Sequence, residues 1–476
     1  VSAARRRRRR RGQREGLTGL QPTNTIPQKL RQLFVILGPI LVTQVGLSLM
    51  NFADTVMAGR FDPVDLAAVA VANSIWMPVH TGLSGILAAL TPIVAQLLGA
   101  GRREEIPEAV RQALYLSVAV ALAVAAAGAL ALPRVFGAMA LEASVRRIAF
   151  GYLGAVGLGI APAFSYAVLR SFMDALGQTR ATMGITLLSL PVNVLLNYVF
   201  IFGPWRFPRL GGVGAGVATG LTYWFVTIVA LAVVLRVEPF RSYRVFERPG
   251  RPSWRAWSEQ LRLGVPIGVS IFLETGVFAT VALLMTGFGT ETVAAHQAAI
   301  NFGGLLYMMP LSISMALTIA VGYEVGAGRF SHARQYSLLG IGASLLMATV
   351  SALGLVFFRD VVAGWYTGEP GVRALVESFL YYVIFFQMSD AVAAPVQGTL
   401  RGFKDVNVTL VVSIVSFWVV GLPAGYVLAN FTDMGPYGYW VGLITALAAG
   451  AVGLALRLQF VYRREGRRVR GEAPAA

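Results

Sequence analysis

Long apolar runs, separated by short polar segments that carry most of the arginines, dominate this chain. A helix that crosses a bilayer needs roughly 20 mostly apolar residues. Twelve stretches meet that need: 33–58, 67–99, 112–133, 147–169, 181–203, 214–236, 263–287, 292–325, 337–358, 374–399, 407–430 and 436–460. Several exceed the minimum and can tilt or run past the hydrocarbon. The stretches 67–99 and 292–325 could each be divided into two short helices; each is read as one, because the charge distribution then closes. The first stretch is too long for a signal-peptide core and no small-residue cleavage site follows it, so it is read as a span. The pattern predicts an all-α polytopic membrane protein with twelve transmembrane helices.

Composition agrees. Of 476 residues, 56% are hydrophobic and 13% charged, against about 25% charged in an average soluble domain. Disorder needs low hydrophobicity, and a soluble nucleic-acid binder would carry its basic charge among far more polar residues. The net charge of +17 therefore says little about partners until its placement is known. Lys and Arg resist translocation. Summed over alternate segments, with residues at span ends counted in the adjoining segment, 32 of the 40 Lys and Arg fall on the side of the N-terminus and 8 on the other. That asymmetry places both termini in the cytoplasm and leaves no Lys or Arg to the interior of a span. The Arg5–Arg11 run is read as a topogenic, lipid-attracted tail rather than a nucleic-acid motif. Gly211, Gly212, Gly214 and Gly216 open span 6 without a preceding strand, so they are read as close helix contacts rather than a dinucleotide loop. The chain has no Cys and no GxxxxGK[ST] phosphate loop, which disfavours thiolate chemistry and ATP-driven transport.

The chain repeats itself. Residues 90–102 (LTPIVAQLLGAGR) and 317–329 (LTIAVGYEVGAGR) share seven of thirteen positions at an offset of 227, and Pro39 meets Pro266 at the same offset. MDALGQTRAT at 173–182 is echoed near that offset by GTLRGFKDVN at 398–407. Six spans is an even number, so the two copies point the same way and are related by an axis along the membrane normal. The expected organisation is a basic tail (1–32), an N-lobe (33–236), a cytoplasmic linker (237–262), a C-lobe (263–460) and a C-terminal tail (461–476), the lobes being two pseudo-symmetric six-helix bundles.

A charge in hydrocarbon is costly, so an intramembrane carboxylate is a functional candidate. Asp174, Glu324 and Asp405 fall at cytoplasmic span ends beside Arg and are read as solvated ion pairs. Asp54 in span 1, Glu274 in span 7 and Asp390 in span 10 lie within spans, with no Lys or Arg expected at their depth. Each must be protonated, bind a cation or face water. Hard cations prefer oxygen ligands. Asn193 and Asn197 form an i,i+4 pair on one face of span 5, Thr219 lies in span 6, and Gln297 and Asn301 form a second i,i+4 pair in span 8 beside His296. Amides that glue helices together explain such residues equally well. Pro39, Pro191, Pro266, Pro310 and Pro395 free backbone carbonyls and permit bends.

Four stretches in order resemble the multidrug and toxic compound extrusion (MATE) family, and most closely its NorM-like bacterial branch. They are MNFADTVMAGRFDPVDLAAVAVANSIW (50–76), IFLETGVFATVALL (271–284) with VAAHQAAINF (293–302), MSDAVAAPVQGTLRGFKD (388–405), and GLPAGYVL (421–428). The resemblance implies two six-helix lobes around a central cavity and an antiporter, not an enzyme, that expels cationic amphipathic drugs in exchange for Na⁺ or H⁺. It assigns cation coupling to Glu274 and Asp390, with Na⁺ held by both, and to Asp54. Asn193, Asn197, Thr219, Gln297 and Asn301 form the polar network. Phe386 stands where Tyr is expected. Trp76, Tyr307, Phe386 and Met388, with Tyr381, Phe385, Met308 and Met309, would suit hydrophobic cations. The expected partners are cationic hydrophobic small molecules and membrane lipid, without nucleic acid. A single subunit in the bacterial cytoplasmic membrane is expected, with no cofactor beyond the coupling ion. Three rival readings stand beside it, of which a channel predicts ring symmetry between subunits, where the two-fold internal repeat favours a transporter. A lipid-linked oligosaccharide flippase of related architecture would need an Arg-rich cavity for phosphates. A membrane-embedded enzyme would need clustered catalytic groups, whereas the three His (His80, His296, His332) are far apart in the chain.

Overall fold

The computed structural model describes residues 19–469 apart from 140, 205–206 and 248–249, and these residues are helices and connections without a strand. The Arg5–Arg11 run lies outside them. Twelve elements have membrane length: α1 (Ile26–Phe61), α2 (Pro63–Gly99), α3 (Ile106–Ala138), α4 (Ala143–Gly157 and Ile160–Ala175), α5 (Thr179–Phe202), α6 (Gly212–Arg236), α7 (Trp254–Met285), α8 (Thr290–Gly326), α9 (Phe330–Tyr366), α10 (Pro370–Gly402), α11 (Asn407–Phe431) and α12 (Tyr437–Val469). Their positions follow the twelve apolar stretches. Span 8 is one continuous helix, whereas α2 is interrupted at Ala88–Ala89 and α4 bends by 50° at Leu158–Gly159. The α4 break leaves the Leu158 carbonyl without a helical partner, and the Trp224 indole donates to it at 3.1 Å.

Contacts divide the chain into two units: Val1–Pro22 with Gly38–Gly268, and Thr23–Leu37 with Val269–Ala476. The divisions fall inside α1 and α7, beside Pro39 and near Pro266, and not at span ends. The opening turns of α1 are thus held by the second unit. The Thr23 hydroxyl lies 2.9 Å from the Tyr336 hydroxyl, and its carbonyl accepts from Lys29 Nζ at 3.1 Å and contacts His332 Nδ1 at 2.8 Å.

In the first unit, glycines set how closely the helices approach. A Cβ on Gly214 would lie 2.2 Å from the Phe200 carbonyl oxygen, and one on Gly216 would lie 2.6 Å from that of Tyr152. The glycine cluster at 211–216 is therefore a packing seam that seats α6 on α4 and α5. The linker after α6 is tied back by buried Gln112, which donates to the Arg251 carbonyl (2.8 Å) and accepts from Ser253 N–H (2.9 Å).

The second unit repeats the device where α8 crosses α10. A Cβ on Gly398 would lie 2.1 Å from the Ser314 carbonyl oxygen. The Thr318 hydroxyl shares its contacts between the Ser314 and Gly398 carbonyls, at 3.0 Å each. Pro310 cannot donate to the Leu306 carbonyl, and buried Gln387 of α10 donates to it instead at 3.1 Å. In α11 the turns widen to π-helix over Ile414–Gly421, just before Pro423, whose missing N–H and ring crowd the preceding turn.

Candidate functional site

The first unit gathers the expected polar residues around Asp54. Its carboxylate is 6% exposed and accepts from Asn197 Nδ2 at 2.5 Å. The same amide reaches Asn193 Oδ1 at 3.2 Å, and the Thr219 hydroxyl lies 3.5 Å from the other carboxylate oxygen. The i,i+4 spacing on α5 brings both amides to one acid on α1, as that spacing requires. Buried Tyr152 of α4, an electrostatic neighbour of Asp54, donates to Asn73 Oδ1 at 3.0 Å. Tyr152 and Asn73 carry no pairwise spacing signal in the sequence and were not anticipated. Trp76 is enclosed in this unit against His80, with ring centroids 5.4 Å apart. Asn197→Leu should cost about 1–3 kcal/mol by stranding the Asp54 carboxylate without its main donor. Thermal unfolding of the detergent-solubilised protein checks this; an unchanged midpoint would show that the bond contributes nothing.

The second unit brings Glu274 (α7), Tyr307 (α8) and Asp390 (α10) onto one narrow cavity of about 30 Å³, also lined by Gln397 of α10 and by Ser413 and Phe417 of α11. Ser413 and Phe417 reach it from the start of the widened turns, and the Trp418 indole pins α11 to α7 by donating to the Leu273 carbonyl at 3.1 Å, next to Glu274. A cavity of this size holds one or two water-sized species. Phe386 does not line it and packs edge-on against Phe278, with centroids 5.7 Å apart. Met388 is half-buried. Tyr381, Phe385, Tyr382, Tyr437 and Ser378 form a separate open depression of about 460 Å³.

Other expected residues lie apart from these two clusters. Gln297 and Asn301 lie on an exposed face of α8, where Asn301 accepts from the Tyr366 hydroxyl at 2.9 Å, and neither reaches the Glu274–Asp390 cavity. Periodicity shows that two residues share a face and leaves open which neighbour that face meets. The span-end pairs form, Arg170–Asp174 at 3.5 Å, Arg329–Glu324 at 2.6 Å and Arg457–Asp405 at 2.6 Å, but Asp174 and Glu324 are buried and not solvated. The expectation that no Arg shares the depth of the acids also fails. The hydropathy limit ended span 10 at residue 399, whereas α10 runs on to Gly402 and carries Arg401 as an electrostatic neighbour of Glu274 and Tyr307.

Fold and sites define a duplicated, polytopic helical membrane protein with a polar site around buried carboxylates in each half: Asp54 in the first, Glu274 with Asp390 in the second. The sequence model of the MatE family matches twice, over residues 39–199 and 266–427. Those two segments begin 227 residues apart, the offset of the internal repeat. A probable multidrug resistance protein NorM of Halalkalibacterium halodurans is 53% identical over 451 residues, covering 95% of this chain and 98% of the relative. One from Bacillus subtilis is 52% identical over 445 residues, covering 94% and 98%. The chain belongs to the MatE family. Among solved structures, the outward-facing conformation of a multidrug resistance MATE family transporter superposes with a TM-score of 0.82 at 20% identity, covering 94% of this chain and 99% of that one. A eukaryotic MATE transporter, AtDTX14, gives 0.83 at 19%, covering 93% and 98%.

Proposed function

We propose that this protein is a secondary active efflux antiporter that exports cationic, amphipathic drugs and dyes in exchange for Na⁺ or H⁺ by alternating access. The pairing of Glu274 with Asp390 on one narrow cavity, beside the ring and hydroxyl of Tyr307, carries the reading. Two acids so enclosed are stabilised when a cation or a proton joins them. The cavity is too small for a drug, so ion and cargo act on the same conformational equilibrium from different places. A ligand shifts two states only through its differential affinity for them; ion binding from outside must therefore favour the state that releases the drug. The multidrug resistance relatives supply the cargo class. The aromatic depression at Tyr381, Tyr382, Phe385 and Tyr437 offers the flat faces that suit such cations. Arg401 beside two carboxylates leaves the C-lobe site formally negative, unsuited to the phosphates a flippase would bind. The 32-to-8 division of basic residues supports cytoplasmic termini in a bacterial inner membrane.

The test is ethidium efflux from proteoliposomes. Efflux should quicken under an inward Na⁺ or H⁺ gradient and relax when that gradient is dissipated. Ethidium movement indifferent to both gradients would overturn the antiport reading.

A further inference from the structure

At the repeat offset of 227, Arg170 corresponds to Gln397 and Asp174 to Arg401. The register is confirmed by the backbone: Gly177 and Lys404, at the same offset, both adopt positive φ (73° and 61°) where their helices end. The two stations thus carry inverted charge. In the first unit the arginine is balanced on its own helix, Arg170 pairing with Asp174 at 3.5 Å, while Asp174 also accepts from the Thr182 hydroxyl at 2.8 Å. In the second unit no acid stands on that helix four residues before Arg401. Gln397 occupies the place, and its carbonyl accepts from Arg401 Nη2 at 3.0 Å. Arg401 forms no ion pair among the described residues, and its Nε is buried without a hydrogen-bond partner. Gln397 itself lines the cavity that holds Glu274, Tyr307 and Asp390. The guanidinium is therefore hydrogen-bonded to a residue that shares the acids' cavity, and it has no ion-pair partner of its own among the described residues.

We propose that Arg401 is a built-in counter-cation of the Glu274–Asp390 cavity, setting how tightly, and with how many charges, the coupling ion binds. This rests on the coupling role proposed above for those acids. With both carboxylates ionised and Arg401 charged, the site has a formal charge of −1, which one monovalent cation neutralises. Arg401 also weakens the hold on that ion, which a site that must release its ion in every cycle requires. The charged or titratable groups facing this cavity are Glu274 from α7, Tyr307 from α8, and Asp390 with neighbouring Arg401 from α10. The lining residues of α11 and α12 are uncharged.

The test measures ethidium efflux from proteoliposomes, and ²²Na⁺ binding to the purified protein, as functions of Na⁺ concentration. Wild type is compared with Arg401→Gln, Arg401→Lys, Gln397→Glu and Glu274→Gln. Arg401→Gln should lower the half-saturating Na⁺ concentration by about tenfold or more, as expected for removing one near charge at low dielectric, and should slow maximal efflux. Arg401→Lys should restore near-wild-type half-saturation. Gln397→Glu rebuilds the balanced pair of the first unit while keeping the arginine, so it should shift binding in the same direction as Arg401→Gln even if the latter folds poorly. Should protons drive efflux, both variants should move the pH midpoint upward, because a more negative site holds its proton to higher pH. Half-saturation and pH midpoint unchanged in Arg401→Gln and Gln397→Glu, with coupling lost in Glu274→Gln, would overturn the role of Arg401 alone. Wild-type ion dependence in Glu274→Gln would overturn the coupling assignment and this inference with it.

Discussion

Glu274→Gln and Asp390→Asn should each reduce gradient-driven dye efflux by at least about tenfold, because a single near-charge contact with a cation at low dielectric exceeds the 1.4 kcal/mol that corresponds to that factor. Both substitutions keep the size and shape of the side chain while replacing a charged carboxylate oxygen with a neutral amide NH₂. Asp390 is 3% exposed and Glu274 half-buried, and both acids open onto the same narrow cavity, where water replaces a lost ion contact poorly. The folded structure should survive, since a neutral amide at these positions is cheaper to bury than an ionised acid. Dye binding in the absence of a gradient should persist, separating loss of coupling from loss of cargo recognition. Efflux at the wild-type rate in both variants would remove the basis for placing the coupling ion between α7 and α10.

Gly398→Val should lower stability by about 1–3 kcal/mol or more, with loss of monodisperse protein after solubilisation. A Cβ at this position meets the Ser314 carbonyl oxygen at 2.1 Å and its hydroxyl at 2.6 Å. Backbone cannot rotate aside as a side chain can, so α8 and α10 must separate. Separation would also break the Thr318 hydroxyl contact to the Gly398 carbonyl of α10. Gly304→Ala is the matched control on α8, since nothing lies within 4 Å of its Cβ position. Size-exclusion profiles and melting midpoints of the two variants should diverge. Equal midpoints for Gly398→Val and wild type would mean that the crossing is looser than its geometry states.

What the sequence reveals here follows from what hydropathy and spacing can encode. Twelve spans were readable because each needs about the same apolar length. The bend at Leu158–Gly159 was hidden because a glycine in an apolar run looks the same whether it breaks a helix or lets another approach. Asp54 and its amides were readable because α5 repeats Asn at i,i+4 on a face that happens to meet α1. The same spacing at Gln297 and Asn301 sets both on one face of α8, and that face is exposed. Arg401 was lost to the span limit itself: hydropathy ends a span at the first arginine, whereas the helix continues to Gly402 and sets Arg401 against Gln397 of the cavity lining. Trp418 was unreadable because it lies within the π-helical turns of α11, off the 3.6-residue register from which a helical face is counted.

As a screw, α11 rotates less per residue in its wide turns than the roughly 100° of an α-helix. Removing one residue between Ile414 and Gly421 without closing those turns would swing Leu422–Phe431 back through one such step. Gly425, whose added Cβ would sit 3.4 Å from the backbones of Tyr439 and Gly442, would then leave the seam with α12. The length of this stretch is thus as constrained as its composition, whereas the exposed connection at Thr432–Asp433 can absorb an extra residue with no change of phase on either side.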